Sequence, residues 1–227
     1  MKESTQNVLT LSREEMRTLA LERVSKISKE FTEGFKFLED YPKSVAFFGA
    51  NQFREDNPYY LSACQLASRV VKELGCPVLS GGGPGIMEAA NRGAFEASGD
   101  SLGLLIKLPG GQVTNEYITK SFASYYFFVR KVLLSFSAEA FIFFPGGFGT
   151  LDEFFEILTL VQTRKIADVP IICVGSEYWN ELKEFMKREQ LSRGVIKPED
   201  LNLFQIVDDH AEIIEIIKKV PSHISSG

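Results

Sequence analysis

The feature that most constrains the fold of this chain is the alternation, from residue 43 onwards, of short apolar runs with segments of helical periodicity. The apolar runs cover residues 44–50, 77–80, 101–108, 140–144, 170–175 and 203–207. Nearly continuous hydrophobicity is typical of strands covered on both faces, and helical segments between such strands form crossovers between parallel neighbours. The pattern therefore predicts an α/β fold, a Rossmann-like doubly wound parallel sheet with helices on both faces.

One amphipathic segment, residues 12–38, precedes this alternating region. Ser12 and Glu15 have the spacing of a helix-capping box, and apolar residues then recur every three or four positions. We therefore expect two parts, an N-terminal helical extension over residues 1–40 and a single Rossmann-like nucleotide-binding catalytic domain over residues 41–227. A chain of 227 residues can bury about 70% of its unfolded surface, so this domain needs no disulfide or metal for stability.

The composition argues against several classes of function. With 25 Lys and Arg against 30 Asp and Glu, the formal charge is −5, which disfavours nucleic acid or an anionic membrane as a partner. Three cysteines without CxxC spacing and only two histidines do not form a metal-binding pattern, so we expect no metal and no redox cofactor. The chain start lacks the pattern of a signal peptide, and no apolar run approaches the ~20 residues that span a bilayer, so we expect a cytoplasmic protein.

Two predicted strands end in glycine-rich loops that lead into helices. The glycines are Gly81, Gly82, Gly83 and Gly85 in the first loop, and Gly146, Gly147 and Gly149, followed by Thr150, in the second. Ligands of doubly wound sheets bind beyond the carboxyl ends of strands, where a glycine backbone and a helix N-terminus can approach a phosphate. Neither loop fits GxGxxG or Walker A, and tight strand-to-helix turns also require glycine. Together, the loops predict one small phosphorylated ligand between them.

Arg130 and Lys131 stand alone among apolar neighbours in "SYYFFVRKVLLSFS", residues 124–137. Taken alone, they are either a solvated pair on a buried helix or cations held in an interior cleft, where arginine can bind phosphate with two N–H groups. A phosphomonoester of charge near −2 beside Asp152 and Glu153 would need about +2.5 in return, which these two residues and a helix N-terminus could supply.

Glu153 has two interpretations. Thr150 and Glu153 have the spacing of a capping box, which would contribute about 1 kcal/mol and would explain both residues without any chemistry. Alternatively, Glu153 is a catalytic carboxylate. In either case we expect a helix N-terminus and Arg130 to lower the pKa of Glu153, which suits a base or an electrostatic role and not a general acid.

The segment "PGGFGTLDE", residues 145–153, resembles the PGGxGTxxE signature of the Lonely Guy (LOG) phosphoribohydrolase family, and Arg130 with Lys131 matches its second signature. The likeness extends through "SGGGPGIMEAANRGA", "GLLIKLPGGQVTNEYI" and "FFVRKVLL" to about residue 175. It implies a Rossmann-like homodimer that hydrolyses the N-glycosidic bond of a nucleoside 5′-monophosphate to free base and ribose 5-phosphate. The family's substrates are AMP, as in an AMP nucleosidase, and the riboside monophosphates of cytokinin biosynthesis.

The resemblance also assigns roles to residues. It implies that Arg130 and Glu153 are the catalytic pair. Substrate and phosphate contacts are expected from Gly82, Gly83, Lys131, Gly146, Gly147, Gly149, Thr150 and Thr159. Two other functions stay open: a nucleotide- or cofactor-binding carrier on the same fold, and a pyridoxal phosphate decarboxylase. Many family members have been labelled lysine decarboxylases, but we identify no pyridoxal phosphate site in the sequence, and such a protein should be yellow.

Overall fold

A computed structural model describes residues 12–108, 110–111, 113–136 and 138–220. Within these residues, seven strands form one sheet in the order β4-β3-β2-β1-β5-β6-β7, and every neighbouring pair is parallel. The strands are β1 (Ser44–Phe48), β2 (Val78–Ser80), β3 (Ser101–Ile106), β4 (Lys120–Ser124), β5 (Ala138–Phe143), β6 (Ile171–Cys173) and β7 (Gln205–Ile206). The predicted parallel α/β sheet is confirmed.

Helices lie before, between and after the strands, and those between strands form the crossovers. They are α1 (Arg13–Glu39), α2 (Pro58–Arg69), α3 (Ile86–Glu96), α4 (Phe127–Phe136), α5 (Phe148–Gln162), α6 (Ser176–Phe185) and α7 (His210–Lys218). Two of them continue as π-helical turns, α2 through Val70–Leu74 and α6 through Met186–Leu191, and a 3₁₀ turn, Pro198–Asn202, precedes β7.

The central strand β1 shows why the apolar runs are continuous. Its side chains alternate between the two faces of the sheet: Val45 and Phe47 pack in one core cluster, and Ala46 and Phe48 pack in the other. Helices α2, α3 and α7 cover the first cluster, whereas α1, α4, α5 and α6 cover the second. A strand covered on both faces has no position for a solvated side chain, so the helices on both faces that the pattern predicted are confirmed.

Strand β4 was not predicted from the sequence. It is an edge strand that pairs only with β3, and its residues "KSFAS" run from exposed Lys120 to buried Ser124. Edge strands carry charged and polar residues because one side faces away from the sheet. For that reason β4 lacks the apolar run by which the other six strands were recognised.

Helix α1 is the predicted N-terminal helix. The capping box is confirmed, because the Glu15 N–H donates to Ser12 Oγ (3.2 Å) and the Ser12 N–H donates to Glu15 Oε2 (2.8 Å). Only the second half of α1 packs on the domain, through buried Leu38 and a ring contact of Phe31 with Phe128. The first eleven residues of the predicted extension lie outside the described residues, as do residues 221–227.

The order of the strands locates the crevice of the sheet. After β1 the chain continues to β2 on one side of the sheet, and after β5 it continues to β6 on the other side, so the strand order reverses between β1 and β5. Phe48 at the end of β1 is in register with Phe143 at the end of β5. Doubly wound sheets bind ligands at this reversal, beyond the carboxyl ends of the strands. Among the described residues, no helix is long and apolar enough to cross a membrane.

Candidate active site

A cavity of about 470 Å³ lies at the carboxyl ends of β1, β2 and β5. Its wall consists of the loop after β1, Gly81, one face of α4 and the first two turns of α5. The lining residues are Phe48, Gly49, Ala50, Asn51, Gln52, Phe53, Gly81, Met87, Phe127, Arg130, Lys131, Leu134, Gly147, Phe148, Gly149, Thr150, Asp152 and Glu153. The Ala50 N–H donates to the Pro145 carbonyl (3.0 Å), which joins the loops that follow β1 and β5.

The second glycine loop presents the start of α5 to this cavity. Gly147 is the N-cap residue, no side chain caps the helix, and the first turn carries no acidic residue. The first N–H groups of a helix have no acceptor within it, so an anion in the cavity could accept hydrogen bonds from them. Gly146 lies just behind the lining, where its carbonyl accepts a hydrogen bond from Tyr178 Oη (2.8 Å).

The predicted capping box of Thr150 and Glu153 is wrong. With Phe148 as the first helical residue, Thr150 is the third and Glu153 the sixth, so neither stands at the N-cap. The N-cap is Gly147, so the helix begins three residues earlier than the capping pattern suggested. Glu153 is therefore free of a capping role.

The first glycine loop is arranged differently. Gly81 lines the cavity, whereas Gly82 and Gly83 are buried behind it. The Gly82 N–H donates to Ser80 Oγ (3.0 Å), and its carbonyl accepts from the Asn115 N–H (3.0 Å). The Gly83 carbonyl accepts from Asn115 Nδ2 (3.0 Å). These polar atoms bind the protein itself.

Arg130 is held in the interior cleft, which decides between the two interpretations left open by its sequence context. Its Nε–H donates to the Leu104 carbonyl (2.7 Å), and Nη2 donates to the Gly81 carbonyl (3.4 Å). Burial lowers the pKa of Arg130 while the charge of Glu153 opposes that effect, and a guanidinium stays charged throughout the physiological range. The site therefore contains a permanent, partly desolvated cation.

Lys131 is surrounded by carboxylates. Its Nζ lies 2.6 Å from Asp152 Oδ2, 2.7 Å from Glu156 Oε2 and 3.5 Å from Glu153 Oε1. Burial alone would lower the pKa of Lys131, but the hydrogen bonds to Asp152 and Glu156 outweigh it and raise the pKa. The ammonium group expected to meet phosphate is thus already paired. Sequence reasoning did not single out Glu156, although its spacing from Asp152 and Glu153 places all three on one helix face.

Glu153 is the least satisfied polar group at the cavity. The residue is 9% exposed, and its Oε2 atom is buried without a hydrogen-bond partner. Burial raises the pKa of Glu153; Lys131 and Arg130 lower it, and Glu156 and Asp152 raise it, with a net increase. The predicted lowering is wrong because the helix field fades within the first turn and Glu153 lies in the second, so desolvation dominates.

The structure brings most, but not all, of the predicted site residues together. Arg130, Lys131, Gly147, Gly149, Thr150 and Glu153 line one cavity, whereas Gly82, Gly83, Gly146 and Thr159 do not. Exposed Thr159 lies further along α5, in a neighbouring groove, where its Oγ1 donates to the Phe155 carbonyl (2.7 Å). Sequence reasoning also missed the aromatic wall, which includes Phe53, Phe127 and Phe148.

Comparisons with known proteins find similar sequences over most of the chain. A family model described as "possible lysine decarboxylase" matches residues 87–217, which is more than half of the chain. Cytokinin riboside 5′-monophosphate phosphoribohydrolase LOG5 of Arabidopsis thaliana is 27% identical over 175 residues, covering 76% of each chain. LOG1, a phosphoribohydrolase of the same name and organism, is 26% identical over 189 residues, covering 82% of this chain and 88% of its own.

A solved structure shares the fold. The molybdenum cofactor carrier protein of Chlamydomonas reinhardtii superposes with a TM-score of 0.58 at 19% identity, covering 78% of this chain and 98% of its own. At that identity the likeness concerns the fold alone. The match of the family model over more than half of the chain, together with the LOG relatives, leads to one conclusion: the chain belongs to the family described as possible lysine decarboxylase, the LOG family.

Proposed function

We propose that this protein is a phosphoribohydrolase that cleaves the N-glycosidic bond of a nucleoside 5′-monophosphate, AMP or a cytokinin riboside monophosphate. The observation that carries the proposal is Glu153, a buried carboxylate with an unpartnered oxygen in a cavity that also contains Arg130 and an uncapped helix N-terminus. A binding site without chemistry has no need for an unsatisfied carboxylate, because leaving such a group buried costs stability.

The cavity offers a distinct environment to each part of such a substrate. The phosphate fits the start of α5, where Gly147 and Gly149 present backbone rather than side chains. Lys131 contributes by offsetting the charges of Asp152, Glu153 and Glu156, so its effect on the phosphate is indirect. The base is then left to the aromatic wall formed by Phe53, Phe127 and Phe148, since flat rings bury well against aromatic side chains.

Glu153 can act as the base that activates water. In the reaction, the bond between C1′ and the base nitrogen breaks, its electron pair leaves with the base, and a water oxygen bonds to C1′. The negative charge of Glu153 stabilises the oxocarbenium-like sugar, and the carboxylate then accepts the proton of that water. The departing base nitrogen takes a proton from solvent, so that neutral free base is released. A raised pKa makes the carboxylate a stronger base near neutral pH, so the burial that costs stability serves the chemistry.

Arg130 is the cationic partner of this carboxylate. A guanidinium has five N–H donors, of which two bind the Leu104 and Gly81 carbonyls. Donors that remain can bind the phosphate or a ribose hydroxyl and hold the sugar beside Glu153. The homodimer and the roles of Gly82, Gly83, Gly146 and Thr159 as substrate contacts belong to the same proposal by family resemblance, and the cytoplasmic location stays an expectation from the sequence.

A carrier that binds a nucleotide or cofactor without converting it is the alternative. The molybdenum cofactor carrier protein has the same fold, which supports this alternative because one fold can serve binding without catalysis. A carrier would use the start of α5 and the aromatic wall, but it would not depend on the ionisation of Glu153.

Incubation of the purified protein with AMP and with its N6-prenylated analogue distinguishes the two functions. We expect chromatography to show free base and ribose 5-phosphate in equal amounts, strongly reduced in Glu153→Gln and Arg130→Ala. Binding of both monophosphates without release of base would instead support the carrier. An absorption spectrum checks the decarboxylase label, since a bound pyridoxal phosphate would colour the protein yellow.

A further inference from the structure

A buried network of polar side chains lies behind the first glycine loop, and none of its members has a role in the proposed reaction. It consists of Ser80, Asn91, Ser101 and Asn115, none more than 8% exposed. Ser80 Oγ donates to Asn91 Oδ1 (2.6 Å), and Asn91 Nδ2 donates to Ser101 Oγ (2.9 Å) and to the Leu102 carbonyl (3.1 Å). Asn115 Nδ2 donates to the same Asn91 Oδ1 (3.0 Å). Asn91 thereby joins α3, β2 and β3 at one point.

Asn115 extends this network to the glycine loop. Its backbone N–H binds the Gly82 carbonyl and its Nδ2 binds the Gly83 carbonyl, both at 3.0 Å. Its Oδ1 accepts from the Tyr117 N–H (3.1 Å), so donors and acceptor of the amide are all used. Buried amides that are fully hydrogen-bonded fix their surroundings in one arrangement, because any shift leaves a polar group unpaired. The position of the glycine loop is therefore set by Asn91 and Asn115.

The glycine loop in turn sets the position of Arg130. Gly81 and Leu104, whose carbonyls accept from Arg130, belong to the loop and to β3, the two segments that the network joins. An added Cβ on Gly81 would overlap Nη2 of Arg130 and would lie 2.8 Å from Met87 Sδ. The guanidinium thus occupies the space that any side chain at residue 81 would need.

We propose that Asn91 and Asn115 are positioning residues for Arg130. Neither asparagine lines the cavity or contacts the guanidinium of Arg130. They hold the Gly81 and Leu104 carbonyls at the separation that orients the guanidinium toward Glu153. The effect on geometry is independent of the proposed function, whereas its consequence for catalysis rests on that function.

The geometric part can be measured by NMR on the full chain labelled with ¹⁵N-arginine. The Arg130 Nε–H resonance is identified by its loss in Arg130→Lys, and its exchange with water should be slow because this hydrogen is buried and bonded to Leu104. In Asn115→Ala and in Gly81→Ala we expect exchange to accelerate by about tenfold, the effect of one weakened hydrogen bond. Gly81→Ala overlaps the guanidinium directly, so it shows the exchange expected of a displaced Arg130. Asn115→Ser, which keeps a polar side chain but removes Nδ2, tests the asparagine link if Asn115→Ala folds poorly.

Thr119→Val is the matched control. Thr119 makes two hydrogen bonds to the backbone of Ser101, close to the network but without contact to the glycine loop. Circular dichroism should show all variants folded, and exchange at Arg130 should be unchanged in Thr119→Val. Exchange in Asn115→Ala that is as slow as in the parent, while Gly81→Ala exchanges faster, would overturn the proposal, as would an equal acceleration in Thr119→Val.

The catalytic part is measured by steady-state hydrolysis of AMP. A misplaced guanidinium should lower kcat by about 100-fold with a smaller change in KM, whereas a network that only stabilises the fold would lower the melting temperature and leave kcat unchanged. If the parent protein hydrolyses no monophosphate, the proposed function fails. The exchange measurement then still decides whether the asparagines position Arg130.

Discussion

The two strand-to-helix junctions with three or more small residues, 80–85 and 145–150, resemble each other in sequence but differ in the direction of their polar atoms. At the first junction, Gly82 and Gly83 direct their carbonyls to Asn115, inside the protein. At the second junction, Gly147 begins α5 without any capping side chain, and the loop faces the cavity. The first junction directs the Gly82 and Gly83 carbonyls into hydrogen bonds within the protein, whereas the second junction is open to a ligand.

This difference teaches that glycine serves two separate purposes in such loops. Gly82 has φ of 73°, and a Cβ there would overlap Leu105 Cδ2, so glycine satisfies a conformational and packing need. Around Gly147 and Gly149 an added Cβ would meet nothing within 4 Å, so glycine there leaves room for something outside the protein. The space around a glycine, rather than its presence, therefore separates a position that serves packing from one that leaves room for a ligand.

The largest expected effect compares two carboxylates, one on the helix that follows each junction. Glu153→Gln on α5 should lower kcat for AMP hydrolysis by about 100- to 10,000-fold, because the amide cannot accept the proton of water. Glu88→Gln on α3 is the matched control, since Glu88 Oε1 accepts from Tyr60 Oη (2.9 Å), which an amide oxygen can also do. We expect it to retain activity within a few-fold. A larger loss in Glu88→Gln than in Glu153→Gln would reverse the roles of the two junctions.

The next effect compares one Gly→Ala change in each loop. Gly82→Ala should lower the free energy of unfolding by about 2–4 kcal/mol, through the unfavourable positive φ and the overlap with Leu105. Gly147→Ala should lower it by no more than about 1 kcal/mol, the preference for glycine over alanine at an N-cap, because the site has room and φ is −91°. Its methyl group should instead raise KM. Thermal unfolding followed by circular dichroism, together with steady-state kinetics, measures both; equal destabilisation by the two changes would contradict the comparison.

A smaller effect concerns the pH dependence created by the open junction. Activity requires ionised Glu153, so kcat/KM should fall as pH decreases through its raised pKa. Lys131→Met removes the strongest influence that lowers this pKa, and should move the acidic limb to higher pH. Glu156→Gln removes a charge that raises the pKa and should move the limb to lower pH. Profiles that shift in the same direction in both variants would disprove the charge assignment.

The smallest effect concerns Phe148 at the mouth of the cavity, which is 94% exposed. Phe148→Ala should leave the free energy of unfolding within about 0.5 kcal/mol of the parent, because an exposed ring has little packing to lose. We expect KM for a monophosphate to rise a few-fold through loss of contact with the base. Leu61→Ala, an exposed apolar residue on α2 outside the cavity, is the control that should change neither quantity.

Much of the fold could be predicted because its causes are local. The apolar runs at β1, β2, β3, β5, β6 and β7 and the capping box of Ser12 are written in consecutive residues, and all are present. Strand β4 was missed because its place at the sheet edge is a property of the whole sheet. Cysteine burial was likewise decided by the packing: Cys173 is buried, whereas Cys64 and Cys76 are half-buried, all as free thiols.

The features of the candidate site also fall into those that local sequence predicts and those that tertiary contacts decide. The sequence by itself determined a parallel α/β domain, two glycine junctions at strand ends and the identity of Arg130 and Glu153 as neighbours of those junctions. Only the tertiary structure decided that the first junction binds Asn115, that Lys131 is paired with three carboxylates, and that burial raises the pKa of Glu153. Hydrogen-bond direction and desolvation depend on which distant segments surround a group, and local spacing does not contain that information.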